Sequence, residues 1–220
     1  MFFRATSLLS ILAAVLVVSS VQAQQSVSDN LQNLVQTDGS LAIGDKVFSN
    51  FDYFASGLSN FDPSQIRVTA SYLNGTYFLT WVGNMSLVSG VTTTSDLLLG
   101  YTVTATDGAI DQLDASYTGS GQPSGNTFIA YDETVRNTQG VVLGTIHLDQ
   151  THTSAILDIN PAQTSLNITK DIGYGILNSG FISISEISQS VHQVVPEPAS
   201  VALLGIGAAA LGFVRRNRAS

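Results

Sequence analysis

Asp107, Asp111 and Asp114 stand four and three residues apart around Gly108 and form the best oxygen-donor cluster in this 220-residue chain. Hard carboxylate oxygens in such a set suit calcium, although the spacing is not that of an EF-hand. Asp107-Gly108 reads equally well as a tight turn, and the other two acids then simply face water. His147 and Asp149 lie two apart on a predicted strand, hence on one face, with His152 just past a turn. That set can hold a transition metal, or it can be ordinary solvated imidazoles on a strand surface. His192 is read as lying in a linker. Asp132 and Glu133 are neighbours, so a strand points them to opposite faces, and alone they cannot make the facing acid pair of a glycosidase. No serine sits in a G-x-S-x-G elbow, and Ser124 falls in a predicted loop. The absence of cysteine excludes disulfides, thiolate zinc sites and thiol nucleophiles. Trp81, Tyr72, Tyr77 and Phe78 gather in one short stretch, either as an aromatic platform for sugars or as core. The reading that follows is a non-enzymatic protein without catalytic residues, without a cofactor and without a committed metal site.

The elements that would carry these residues are strands. Ile66, Val68, Ala70 and Tyr72 alternate with polar residues, and Asn74-Gly75 turns the chain into a second strand from Thr76 to Val82. Strand-like runs follow over 47–54, 97–106, 109–117, 127–135, 141–148, 153–159, 166–172 and 181–187. Gly119-Ser120-Gly121-Gln122-Pro123-Ser124-Gly125 reads as a loop. One short helix is expected from Asp29 to Gln36, with Asp29 as its cap. About ten strands without intervening helices predict an all-β, antiparallel two-sheet sandwich, of jelly-roll or immunoglobulin-like type. No internal repeat suggests a propeller or solenoid.

Both ends of the chain read as export signals. Arg4 precedes an apolar stretch from Ser7 to Val18, and Val21 and Ala23 place small residues where a signal peptidase reads. Residues 1–23 are therefore expected to be a signal peptide, and 24–195 one exported domain. At the other end, Pro196-Glu197-Pro198 is followed by an apolar run from Ala199 to Val214 and by Arg215, Arg216 and Arg218. The prolines hold the segment extended, the apolar run approaches the length of a membrane helix, and the arginines stay on the cytoplasmic side as a stop-transfer cluster. Residues 196–220 form this tail.

The order of Pro-Glu-Pro, short apolar helix and terminal arginine cluster resembles the PEP-CTERM sorting signal of Gram-negative bacteria. The resemblance implies that Pro196, Glu197 and Pro198 are recognised by an exosortase-type membrane protease, and that the tail is removed or transferred during export. It further implies transient residence in the inner membrane, then the cell surface or the extracellular matrix. The body resembles a recurrent ectodomain of such proteins through Gly44-Asp45-Lys46-Val47-Phe48-Ser49-Asn50-Phe51-Asp52-Tyr53 and Lys170-Asp171-Ile172. That second resemblance implies a shared β fold and assigns no activity.

Charge narrows the partners. The chain carries a formal −8, and removing Arg4, Arg215, Arg216, Arg218 and Glu197 with the two signals leaves 4 basic and 15 acidic residues, near −11. Such a field opposes nucleic acid and anionic head groups, which need basic patches. Charged residues make up only 11% of the chain, so polarity rests on hydroxyls and amides. A surface of that kind fits a biofilm or exopolysaccharide matrix. Three functions stay open at this point: a surface or matrix protein, a carbohydrate-binding module, and a secreted glycan hydrolase.

Overall fold

Strict alternation of apolar and polar side chains sends every second residue of these runs inward, and two such surfaces close on each other. A computed structural model describes residues 25–123 and 125–194. Its elements are β1 (Gln25–Asn30), α1 (Leu31–Gln36), β2 (Leu41–Ile43), β3 (Lys46–Ser56), β4 (Arg67–Leu73) and β5 (Thr76–Ser89). There follow β6 (Thr93–Ala105), β7 (Ala109–Gln122), β8 (Thr127–Arg136), β9 (Val142–Asp149), β10 (Ser154–Gln163), β11 (Ser165–Ile176) and β12 (Gly180–Val194).

The strands form two six-stranded antiparallel sheets. Sheet A runs β1-β4-β5-β12-β7-β10 and sheet B runs β2-β3-β6-β11-β8-β9. From β5 onward the chain passes back and forth between them, except at the β8–β9 hairpin within sheet B, so most neighbouring strands there are distant in sequence. Between the sheets lies one apolar core that includes Trp81, Phe48, Tyr101, Tyr131 and Tyr174. The predicted Asn74-Gly75 turn is present, with φ of 51° and 91° at the two residues.

Four expectations change. The glycine-rich stretch is not a loop up to Gln122: Gly119, Ser120, Gly121 and Gln122 pair with Ile184, Ser183, Ile182 and Phe181 of β12. Glycine is needed there because a Cβ on Gly119 would lie 2.7 Å from the Ser183 carbonyl oxygen. Composition suggested a turn where close backbone approach was the cause. The final strand also continues past Ile187 to Val194, which places His192 in the sheet rather than in a linker. Helix α1 is capped by Asn30, whose side chain accepts from the Asn33 amide, while Asp29 accepts from the Asn33 side chain. Finally, β1 and β2 were not foreseen; β1 is polar and exposed, a sheet edge without an apolar pattern.

No helix among the described residues is long and apolar enough to cross a membrane. The expected signal helix and the apolar run of the tail lie outside the described residues, as do Val21, Ala23, Pro196, Glu197, Pro198, Arg215, Arg216 and Arg218.

Candidate functional site

The carboxylates singled out by spacing are dispersed by the fold. Asp107 is exposed in the β6–β7 turn, and Asp111 falls at an irregularity of β7, where the partners of β12 slip between His192 and Gln193. Asp114 instead points to the outer face of sheet A, where its Oδ2 accepts from Ser190 Oγ at 2.7 Å and meets His192 Nε2 at 2.9 Å. Among the described residues no three His, Cys, Asp or Glu side chains are placed to hold a metal ion.

His147, Asp149 and His152 do not converge either. His147 Nδ1 lies 2.8 Å from Asp132 Oδ1 across the β8–β9 pair, and this hydrogen bond, with the carboxylate's charge, raises the imidazole pKa. Asp149 is a turn former: its Oδ1 accepts from the Thr151 and His152 amides and from the Thr151 hydroxyl, which hold its carboxyl well below the usual range. Asp132 and Glu133 do point to opposite faces, the first exposed and the second fully buried.

Ser190, His192 and Asp114 bring a serine, a histidine and an aspartate together, a set that spacing alone did not reveal. Their geometry is not that of a nucleophile relay. A relay needs the acid on one imidazole nitrogen and the serine on the other. Here Ser190 Oγ, at 3.1 Å, and Asp114 Oδ2 meet the same Nε2. Ser124, the serine of the predicted loop, lies outside the described residues.

The outer face of sheet A carries a pattern invisible in one dimension. Ser28, Thr69, Thr80, Ser188, Ser116 and Ser154 are register partners across β1, β4, β5, β12, β7 and β10. Their sequence neighbours Val68, Leu79, Trp81, Ile187, Ala115 and Tyr117 are buried, so these hydroxyls face outward. At about 4.8 Å per strand, the row runs roughly 24 Å. Beside it, the next row places Phe78, Ser190, Asp114 and Ile156 opposite one another. A cavity of about 590 Å³ opens where the rows meet, lined by Ser188, Ser116 and Ser154 on one side and Phe78, Asp114 and Ile156 on the other. Hydroxyls beside a phenyl ring and an aliphatic side chain match a ligand with alternating hydroxyl and C–H surfaces. Trp81 and Tyr77, by contrast, are buried, so the aromatic cluster divides between core and surface.

Between the sheets sits a second polar group. Lys170 on β11, Glu133 and Tyr131 on β8, and Gln189 on β12 are fully buried. Lys170 Nζ touches Glu133 Oε2 and Gln189 Oε1, and donates to the Tyr131 hydroxyl at 2.9 Å. Tyr131 in turn donates to Glu133 Oε2 at 3.0 Å, and Gln189 Nε2 to the Asp114 carbonyl at 3.2 Å. Rings of Trp81, Tyr101 and Tyr131 lie 5.5, 5.8 and 5.6 Å from Nζ. Burial lowers the Lys170 pKa against the pull of the Glu133 charge, and burial raises those of Tyr101 and Tyr131. The sequence marked Lys170 only through a family resemblance.

The PEP-CTERM protein-sorting motif matches residues 194–218, beginning at the last residue of β12. The chain therefore carries that motif, which implies an exported protein handled by an exosortase, a membrane protease. No curated protein matches the chain. Among solved structures, TmCBM61 in complex with β-1,4-galactotriose is 10% identical, with 62% of this chain and 86% of that one covered and a TM-score of 0.32. A DUF4465 family protein from Bacteroides caccae is 11% identical, covering 77% and 100%, with a TM-score of 0.27. The infectious bursal disease virus VP2 subviral particle is 12% identical, covering 54% and 32%, with a TM-score of 0.33. Likeness at this level carries no functional conclusion.

Proposed function

We propose that this is a non-enzymatic cell-surface or matrix protein, exported through residues 1–23, sorted and processed through residues 196–220, and left outside as the 24–195 sandwich. The sorting motif, which starts at the last residue of the central strand β12, carries this reading. β12 is held by β5 as far as Val191 and by β7 as far as Val194, so cleavage in the tail would leave every strand pair intact. Exosortase and signal peptidase are its expected partners, Pro196, Glu197 and Pro198 the processing element, and Arg215, Arg216 and Arg218 the stop-transfer cluster. Binding of an antibody raised against the 24–195 sandwich to intact cells of the native host tests the exposure. Antibody bound at the surface or in the matrix supports the reading, and protein detected only after the envelope is broken contradicts it.

A second reading is favoured by the outer face of sheet A. The sheet wiring from β5 to β12 is that of a jelly roll, a frame shared by lectin domains. The hydroxyl row and the cavity beside Phe78 fit a neutral polysaccharide, which makes exopolysaccharide the partner of choice. Retention of the protein on the host's own exopolysaccharide tests this directly; free passage through the matrix contradicts it.

A further inference from the structure

Lys170, Gln189 and Glu133 place a primary amine, a carboxamide and a carboxyl group in mutual contact inside a dry core. Each comes from a different strand, and the pair Lys170–Gln189 bridges sheet B to sheet A. An amine and an amide held this way exchange a bimolecular encounter for an intramolecular one, which offsets part of the barrier to amide exchange. We propose that Lys170 and Gln189 form an intramolecular isopeptide cross-link, with Glu133 as the proton carrier.

The step balances without any outside reagent. The Lys170 proton passes to Glu133, which leaves a neutral amine. Nζ attacks Cδ of Gln189 while the Glu133 carboxyl protonates the carbonyl oxygen. Collapse of the tetrahedral adduct expels the side-chain nitrogen as ammonia after it receives a proton through Glu133. One N–C bond forms, one N–C bond breaks, and no electron is gained or lost. Three further observations agree. Desolvation by the aromatic surroundings disfavours the charged amine, the condition for nucleophilic lysine. Glu133 Oε1 is buried and has no hydrogen-bond partner, which leaves an oxygen free for the reaction. Gln189 Nε2 is fixed by the Asp114 carbonyl, so its amide plane is held while Oε1 faces Lys170.

Lys46 also touches an amide, Gln193 Oε1, and pairs with Asp45 at 2.8 Å. Asp45, however, is partly open to solvent. Burial there acts to raise its pKa, but hydrogen bonds from Lys46 and Tyr77 outweigh it and hold the carboxyl below the usual range. A carboxylate held ionised in this way does not take the Lys46 proton, so the amine stays charged and Lys46–Gln193 stays a hydrogen bond.

The test is a peptide map of the full chain purified from its native host, denatured and digested. The expected product is a branched peptide joining Lys170 to Gln189, lighter than its two parts by one ammonia, with Lys46 and Gln193 in separate peptides. Amine labelling after denaturation would then modify Lys46 and spare Lys170. Separate, labelled Lys170 and intact Gln189 peptides from the unaltered protein would overturn the proposal whatever the variants do. In Glu133→Gln, verified as folded by circular dichroism, the branched peptide should fall at least tenfold; full cross-linking there would remove Glu133 from the chemistry.

Discussion

His192 Nε2 and Asp114 Oδ2 lie 2.9 Å apart, joining β12 to β7 just before the sorting motif begins. With Ser190 on the same carboxylate oxygen, the trio closes the end of the central strand rather than arming a nucleophile. An active-serine phosphonate should therefore leave Ser190 unlabelled, and labelling would show a catalytic role. Asp114→Ala should cost about 1 kcal/mol in urea unfolding, the usual worth of a partly exposed hydrogen-bond pair.

Phe78 is the half-exposed ring of the groove on sheet A. Phe78→Ala should weaken retention on exopolysaccharide by about three- to tenfold, the equivalent of roughly 1 kcal/mol of aromatic contact, with unfolding little changed. Thr80→Val, which removes one hydroxyl of the row, should weaken retention less. Affinity electrophoresis in the polysaccharide measures both; unchanged mobility shifts would remove the glycan reading.

Asp171 faces Asp132 directly across β11 and β8, and its pKa is raised by partial burial and by the charges of Asp96 and Asp132. A carboxyl whose folded pKa lies above its unfolded value weakens the fold once both states are ionised, and the penalty disappears as pH falls below the unfolded pKa. Asp171→Asn should thus stabilise the protein at neutral pH by a few tenths of a kcal/mol, since solvent screens the pair. The gain should vanish near pH 3, as read from melting curves across pH.

Asp107, Asp111 and Asp114 no longer look like a calcium site once folded, because they sit on a turn, an irregular strand position and a hydrogen-bonded face. Adding calcium or a chelator should leave the melting temperature of the protein unchanged. A rise with calcium would mean the carboxylates gather in solution.

The fold was legible where a strand has one wet face, as in the Ile66 to Val82 hairpin, because burial imposes a period of two. It was illegible where tertiary contact decides. Gly119 looks like loop material until the Ser183 carbonyl is seen beneath it, so Gly119→Ala should cost about 1–3 kcal/mol in chemical unfolding. The six hydroxyls from Ser28 to Ser154 share a row only after five strand registers are known, and no spacing along the chain encodes that row. Lys170, Glu133 and Gln189 likewise belong to three strands and meet only in the core. The tail behaves oppositely: its signal is linear, so Pro196, Glu197 and Pro198 could be read without any fold.

Sorting and processing both run through that tail in the proposed function. Intact mass and membrane fractionation of the protein from its native host should be compared with a variant carrying alanine at Pro196, Glu197 and Pro198. Loss of the C-terminal peptide and release from the inner membrane in the unaltered protein alone is the predicted result. Identical full-length masses, with both forms held in the inner membrane, would contradict it.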